Sequence, residues 1–301
     1  MTFSGAGDRI SNHRHRDLVY LLIIQFSALI TSPIVLAYEM DPLVVTFWRC
    51  ILGGLFFLPL ALMTQPKFYR QINRTQWVYM LVAALALAIH FITYMEGLYQ
   101  VSLAVFYTIL STGTIWVGLI SMLVFRQLLS SGQWAGLFAG FGGILLYAYS
   151  GHTFEAENQT SLLLLLTAAI TFALYMVIGQ KVRSTVSNFS YVVIVFLLAG
   201  AIALCYALVT DQSLTVTEPN DWVGILLITF FGQIVVHALT NLYLKHGQAA
   251  ILQLTGLAKI PLIALIGWIF FGQAVSLAVI PALLLTIAGL VVYNMAQTKR
   301  S

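Results

Sequence analysis

Apolar residues run almost without interruption through stretches about twenty residues long, and short polar segments separate these stretches. A helix rises about 1.5 Å per residue, so about 20 apolar residues cross a hydrocarbon core of roughly 30 Å. The pattern therefore predicts an all-α integral membrane protein with ten transmembrane helices. The predicted spans are 18–38, 42–63, 76–98, 101–124, 131–149, 161–180, 191–209, 222–244, 249–271 and 275–294.

The composition excludes several classes of protein. Apolar residues make up 60% of the chain and charged residues only 8%, which no water-soluble domain could keep in solution. The first predicted span follows a polar, basic segment and is long enough to remain as an anchor instead of a cleaved signal peptide. Cys50 and Cys205 fall within apolar runs, so we expect neither a disulfide nor a metal site. The chain has no phosphate-binding Gly-x-x-x-x-Gly-Lys-Ser/Thr motif, and we expect no cofactor.

The basic residues fix the predicted orientation, because cytoplasmic loops carry excess Lys and Arg. With the N-terminus inside, the predicted outer loops contain no Lys or Arg, and both termini are cytoplasmic. We therefore attribute the net charge of +4 to the basic cytoplasmic loops and not to a nucleic-acid partner. The basic residues of the predicted inner segments are Arg9, Arg14, Arg16, Lys67, Arg70, Arg74, Arg126, Lys181, Arg183, Lys245, Lys299 and Arg300.

The chain repeats itself. The pattern Phe-x-Gln-x-x-Ser follows predicted spans 4 and 9, and a Gly-x-x-x-Tyr pattern follows it in both places. Residues 1–150 and 151–301 are therefore predicted to form two five-helix repeats, and an odd number of spans per repeat inverts the second copy. Inverted repeats can open alternately to each side of the membrane around a site near its midplane. The matching residues are Phe125, Gln127, Ser130, Gly143 and Tyr147, and Phe271, Gln273, Ser276, Gly289 and Tyr293.

The segments "DPLVVTFWRCILGGLFFLPLAL" from Asp41, "GLFAGFGGILLY", "GLAKIPLIALIGWIFFGQ" and "AGLVVY" resemble the drug/metabolite transporter superfamily, in its ten-span EamA-type branch. The resemblance covers essentially all ten spans and implies a transport role without naming a substrate. One departure is visible. Where the family commonly has Gly-Glu after spans 4 and 9, this chain has Arg126-Gln127 and Gly272-Gln273, so a role for that acidic residue in coupling or gating has no counterpart here.

Polar residues recur at helical spacing within spans 1, 3, 4, 6, 8 and 9, which predicts a central cavity, because lipid offers polar groups no partner. Each polar residue also has a structural interpretation, such as a hydrogen bond between helices or to its own helix backbone. Aromatic residues more often serve packing, and Arg49 could serve only to tie span 2 to a neighbour or to the interface. The candidate substrate-binding residues are Lys259, His237, His90, Gln233, Asn241, Thr255, Tyr107, Ser111, Tyr94, Tyr175, Gln25 and Arg49.

Two further features concern packing. Predicted span 7 has no polar stripe, so we expect it to face mainly lipid. Small residues recur every fourth position in predicted spans 5 and 10, which allows helices to approach closely, either within the scaffold or in a homodimer. These small residues are Gly132, Gly136, Gly140, Ala278, Ala282 and Thr286.

Lys259 is the most informative single residue, because it lies near the middle of a predicted span. A charge at the bilayer centre costs about 2.5 to 3.5 kcal/mol, so it is normally kept for a partner or a pathway. Lys259 could pair with a carboxylate or phosphate of the substrate, or load and release a proton. Glu96, His90 and His237 are the other candidates for coupling. Arg49 and Lys259 against Glu96 give a positive balance, which favours zwitterionic or anionic solutes over cations.

The sequence thus predicts a secondary active transporter, an exporter or exchanger working by alternating access. Its substrate would be a small organic metabolite such as an amino acid or other carboxylate, coupled to protons or a counter-solute. A drug or other cation, a phosphorylated metabolite, a nucleoside-like solute and a lipid carrier remain alternative substrates. An intramembrane enzyme is disfavoured, because His90 and His237 are predicted at different depths. The resemblance and the short loops favour a multi-pass protein of the bacterial cytoplasmic (inner) membrane.

Overall fold

The computed structural model describes residues 4–126, 128–150, 156–243, 252, 255–256, 259–273, 277 and 280–298, and all regular secondary structure within them is helical. A short 3-10 helix covers Phe68–Gln71, and a π-helical segment covers Thr229–Val235. The α-helices are α1 Ser4–Tyr38, α2 Pro42–Thr64, α3 Arg74–Leu98, α4 Leu103–Ser111, α5 Gly113–Phe125, α6 Ser131–Ser150, α7 Ala156–Arg183, α8 Asn188–Thr210, α9 Pro219–Ile228, α10 Val236–Tyr243, α11 Lys259–Phe271 and α12 Ile280–Thr298.

Seven helical stretches in the described part of the chain are long and apolar enough to cross a membrane. They coincide with predicted spans 1–4 and 6–8. Helices α6, α11 and α12 lie at the positions of predicted spans 5, 9 and 10, although the first part of span 9 falls outside the described residues. The seven stretches are Asp17–Tyr38, Pro42–Thr64, Arg74–Leu98, Leu103–Phe125, Gln159–Arg183, Asn188–Thr210 and Pro219–Thr240.

Polar side chains determine where several helices begin. The Asp41 carboxylate accepts hydrogen bonds from the first amides of α2, at 2.8 and 2.9 Å. Asn73 and Gln76 form a reciprocal capping box at the start of α3. The Ser187 hydroxyl accepts a hydrogen bond from the Ser190 amide at the start of α8, at 3.2 Å. Such caps satisfy amides that have no partner within the helix.

Helices of the first predicted repeat pack against helices of the second. Helix α2 packs on α8, α3 on α7, α4 on α11, and α6 on α12, while α1 packs along α9, the π-helical segment and α10. Each of these pairs joins a helix from residues 1–150 to one from residues 151–301. The two predicted halves are therefore interleaved, and a cavity between them can draw on both.

Helices α6 and α12 make the closest backbone contact of these pairs, through the predicted small-residue stripe. A methyl group at Gly136 would lie 2.5 Å from the Tyr293 amide nitrogen and 2.7 Å from the Gly289 carbonyl oxygen. A methyl group at Gly143 would collide with Thr286. The stripe therefore serves the scaffold within one chain, although Ala278 of the predicted stripe lies outside the described residues.

Helix α8 differs from the prediction that span 7 faces mainly lipid. It packs on α2 and α3, and the side chains of Tyr191, Val195, Phe196 and Ala199 are fully buried. The prediction was wrong because an apolar helix face packs equally well against lipid and against other apolar helices. The absence of a polar stripe in α8 agrees with the fact that α8 does not line the cavity.

Two predicted spans are not continuous α-helices. Span 4 breaks between α4 and α5 at Thr112, whose amide bonds to the Ile109 carbonyl oxygen at 3.1 Å. Span 8 contains the π-helical segment between α9 and α10. Irregular helix is tolerated at membrane depth only where protein or a polar cavity satisfies its backbone.

Gln273, one of the departures from the family pattern, contacts the start of α4. Its side-chain oxygen accepts a hydrogen bond from the Leu103 amide at 3.0 Å, at the first turn of α4. The residue before it, Gly272, has a φ of +62°, a conformation that suits glycine. A neutral amide thus accepts a hydrogen bond from the first turn of α4 in this chain.

We expect Gly136→Ala to destabilise the protein, because the added methyl group would press on the backbone of α12. Overpacking of this kind costs about 1–3 kcal/mol, so the melting temperature of the detergent-purified protein should fall. Gly142→Ala is the matched control, since its methyl group would meet only Leu285, at 3.9 Å. Equal melting temperatures for the two variants would contradict the tight α6–α12 contact.

Candidate functional site

A cavity of about 180 Å³ lies at the centre of the helix packing. Its lining comes from predicted spans 1, 3, 4, 6, 8 and 9, the six that carry polar stripes, and Arg49 of α2 joins them. The π-helical segment and the break between α4 and α5 both border it. The lining residues are Ala28, Thr31, Arg49, His90, Phe91, Tyr94, Tyr107, Leu110, Ser111, Gly113, Ala169, Phe172, Gly232, Val236, His237, Gly256 and Lys259.

Arg49 is almost completely buried, with 3% of its surface exposed. Its Nε donates a hydrogen bond to the Gln233 side-chain oxygen at 3.1 Å, and its guanidinium carbon lies 3.8 Å from the centre of the Phe91 ring. No carboxylate among the described residues forms an ion pair with it. The guanidinium is thus held along one edge and on one face, while its remaining N–H groups have no protein hydrogen bond within the described structure.

Lys259 lies on another wall of the cavity, at the start of the described part of α11. Its ammonium lies 5.7 Å from the centre of the Tyr107 ring, within the range of a cation–π contact. As far as the structure describes its surroundings, the ammonium has no hydrogen-bond acceptor and no acidic partner. Two cations therefore face one cavity without an internal counter-charge among the described side chains.

A directed chain of hydrogen bonds joins α1, α3 and α4 beside these cations. The Tyr107 hydroxyl donates to the Ala28 carbonyl oxygen at 2.7 Å, and Ser32 donates to the Tyr107 oxygen at 3.0 Å. Because the Ser32 proton is used in this way, the 2.6 Å contact between Ser32 and Tyr94 requires Tyr94 to donate. Both tyrosine protons are therefore committed, and their oxygens can only accept further hydrogen bonds.

His90 and His237 both line the cavity. His90 Nδ1 lies 2.8 Å from the Ala168 carbonyl oxygen, which can only accept, so Nδ1 carries the proton and Nε2 is the acceptor of the neutral ring. His237 Nδ1 contacts the Tyr175 hydroxyl at 3.3 Å. Both rings pack against Phe172. The two histidines, from α3 and α10, thus border one space, although the sequence predicted them at different depths.

Several predicted site residues lie behind the lining and not on it. Gln25 Nε2 donates to the Leu252 carbonyl oxygen at 2.9 Å and to the Thr255 hydroxyl at 3.1 Å, so this pair ties α1 to the chain before α11. Gln233 and Tyr175 support Arg49 and His237 respectively.

The last predicted residues have other positions. Ser111 borders the cavity, but its hydroxyl donates to the Tyr107 carbonyl oxygen of its own helix at 2.7 Å. Glu96 is partly exposed and does not line the cavity. Asn241 lies in α10, and its side chain is outside the described part of the structure.

Sequence reasoning missed ten residues of the lining, all in spans that were predicted to line the cavity. They are Ala28, Thr31, Phe91, Leu110, Gly113, Ala169, Phe172, Gly232, Val236 and Gly256. The aromatic residues were missed because apolar rings carry no polar signal. The glycines provide room: a methyl group at Gly232 would lie 3.2 Å from Arg49 Nη2.

The apolar helices define a multi-pass membrane protein, and the cavity between them contains two cationic side chains. Residues 18–149 and 159–295 match the model of the EamA-like transporter family. The chain therefore belongs to this family of membrane transporters, within the drug/metabolite transporter superfamily. The resemblance inferred from the sequence motifs is thus confirmed.

Comparison with solved structures supports the fold. One, described only as "Crystal structure of protein", is 17% identical in sequence and superposes with a TM-score of 0.64. The match covers 93% of this chain and 99% of the other. At this identity the likeness concerns the fold alone. No curated protein matches the chain.

The hydrogen-bond chain predicts that Ser32→Ala is destabilising, because it leaves Tyr94 without its acceptor and Tyr107 without its donor. An unsatisfied buried group costs about 1–3 kcal/mol, so the variant should melt at a lower temperature without ligand. Ser111→Ala is the control, since it removes only a bond to the helix's own backbone. Were both variants to melt like the unaltered protein, the chain of hydroxyl groups would have no structural role.

Proposed function

We propose that the protein is a secondary active transporter of small organic anions and zwitterions, such as amino acids or other carboxylates, and that it works by alternating access. The observation that carries the proposal is the pair of cations, Arg49 and Lys259, that face one cavity without an acidic partner among the described residues. Buried charges are normally paired, and each remains expensive within a membrane. An anionic group of the substrate would supply the missing partner.

The hydrogen-bond directions around the cavity favour a substrate that also carries a donor. Arg49 and Lys259 can only donate, whereas the Tyr94 oxygen and His90 Nε2 can accept. A molecule with a carboxylate at one end and an ammonium or amide at the other would match both the donors and the acceptors of the cavity. An amino acid has these two groups a few ångströms apart.

The size and charge of the cavity weigh against the other solutes. Sites for drug-sized molecules occupy about 300–1,000 Å³, and this cavity measures about 180 Å³. A quaternary cation would meet two positive charges and no described carboxylate. A phosphorylated metabolite satisfies the same charge argument as a carboxylate and remains the second candidate. A lipid carrier would require an opening toward the bilayer.

The proposal includes ten transmembrane helices in two inverted five-helix repeats, with both termini in the cytoplasm of a bacterial inner membrane. The positions of the helices, their pairing between the two halves of the chain and the distribution of Lys and Arg support this arrangement. Export or exchange would be driven by protons or by a counter-solute. Lys259, His90 and His237 are the candidates for coupling that border the cavity.

The proposed function predicts that Lys259→Met abolishes anion binding and transport while the protein still folds. A ligand at about 100 times its Kd stabilises a protein by about 2.7 kcal/mol, which a thermal shift detects. We would screen amino acids, organic acids, phosphorylated metabolites and choline against the purified protein, and then measure uptake of the best solute into liposomes. Loss of a buried charged partner costs about 2–5 kcal/mol, or at least about thirtyfold in affinity.

Lys181→Met is the matched control for this substitution. Lys181 also contacts a tyrosine, with its Nζ 3.1 Å from the Tyr79 hydroxyl, but it does not line the cavity. It should bind and transport like the unaltered protein. Stabilisation by choline but by no anion would refute the anion proposal, and an undiminished anion response in Lys259→Met would remove Lys259 from the site.

The proposed topology predicts which loops a membrane-impermeant maleimide can reach in intact cells. In a variant whose Cys50 and Cys205 are replaced by alanine, Glu218→Cys should react from outside. Arg70→Cys should react only after permeabilisation, because it lies in a predicted inner loop. Both side chains are exposed, so accessibility within the protein does not limit the reaction. The reverse pattern would overturn the proposed orientation.

A further inference from the structure

Gln233 is a predicted site residue that the structure places next to the cavity and not on its lining. Its side chain is fully buried, and its oxygen accepts the hydrogen bond from Arg49 Nε. The Arg49 N–H groups can only donate, so this contact fixes the orientation of the amide. The Gln233 side-chain nitrogen has no hydrogen-bond partner within the described structure. Among the described residues, Arg49 is thus the one side chain that bonds to this amide.

Neighbouring residues pack closely around the Gln233 and Arg49 side chains. A methyl group at Gly53 would lie 2.8 Å from the Gln233 Cγ, and one at Gly232 would lie 3.2 Å from Arg49 Nη2. Phe91 covers one face of the guanidinium. Gln233 itself lies in the π-helical segment. Gly232 and Phe91 thus leave little room around the guanidinium, and Gly53 leaves little room around the glutamine that bonds to it.

The chemical type of the partner is the unusual feature. Glutamate has nearly the shape of glutamine and would give a buried arginine a full counter-charge, as buried arginines within membranes commonly have. Glutamine instead orients the guanidinium through Nε and leaves its positive charge uncompensated. The Nη groups, which form the fork that binds carboxylates and phosphates with two parallel hydrogen bonds, remain free for another partner.

We propose that Gln233 is a specificity-determining residue, which holds Arg49 in position while keeping its charge available for the anionic group of the substrate. This inference rests on the proposed transport of anions and zwitterions. In this arrangement Arg49 is the contact residue and Gln233 is the positioning residue. A carboxylate at position 233 would act as an internal substitute for the substrate's own anionic group.

The test compares Gln233→Glu with the unaltered protein in the same thermal-shift panel, using the sodium salts of amino acids, mono- and dicarboxylates and inorganic phosphate. We expect Gln233→Glu to melt no lower than the unaltered protein without ligand, because the new carboxylate pairs with Arg49. Its apparent affinity for anions should fall at least about tenfold, which corresponds to about 1.4 kcal/mol. A merely structural residue would lower the melting temperature without changing the affinity.

Gln133→Glu is the matched control, since it adds the same carboxylate at a buried glutamine outside the cavity. The Gln133 side-chain oxygen accepts from the Ser130 amide at 2.8 Å, a bond that glutamate can also make. This variant should keep the full anion response. Gln233→Met provides a second probe should Gln233→Glu fail to fold, because it removes the acceptor without adding charge. It should bind anions more weakly than the unaltered protein and more strongly than an Arg49→Met variant.

The possible results separate the two proposals. If no anion stabilises the unaltered protein, both the proposed function and the role of Gln233 are wrong. If anions stabilise the unaltered protein and bind Gln233→Glu and Gln233→Met equally well, the proposed function stands and the role of Gln233 is overturned. Loss of the anion response in Gln133→Glu as well would show that any added buried carboxylate suffices, which also overturns it.

Discussion

Hydrocarbon offers no hydrogen-bond partners, and the arrangement of polar groups in this protein follows from that constraint. Each polar side chain within the helices must find another protein group or border a polar cavity. Gln25 bonds to Thr255, and Ser32 joins Tyr94 to Tyr107. Arg49 and Lys259 lack a described counter-charge, and both border the cavity. The two cations without a described counter-charge thus face one central space, whereas other buried polar groups without a hydrogen-bond partner among the described residues, such as Trp116 Nε1 and the Tyr191 hydroxyl, lie away from it.

The tightly packed helices and the interrupted helices lie in different parts of the structure. Backbone contact between α6 and α12 through Gly136, Gly143 and Gly289 leaves no space between these two helices. The break at Thr112 and the π-helical segment both lie against the cavity, where side chains and the cavity itself can satisfy freed backbone groups. A rearrangement of helices around the cavity would therefore cost the least free energy at the helix interruptions that border it.

The sequence predicted the positions of the helices and the faces that line the cavity, because both depend on periodicity within one segment. It did not predict which residues pair across helices. Arg49 and Gln233 lie far apart in the sequence, and no local pattern indicates that one holds the other. The burial of α8 was also missed, since an apolar helix face carries no signal that distinguishes lipid from protein. The π-helical segment has no sequence signature beyond its position in a polar stripe.

The charge of the cavity also bears on the choice between exchange and net export in the proposed function. An empty cavity would hold the charges of Arg49 and Lys259 without the anion that compensates them, and closing the cavity during a change of conformation would remove water from these unpaired charges at a high cost. A bound anion removes that cost in both directions of opening. Exchange of one anion for another therefore needs no change in the protonation of the cavity. Net export would require the empty protein to return with less positive charge, and Lys259, which can release a proton where Arg49 cannot, is the residue through which this could occur.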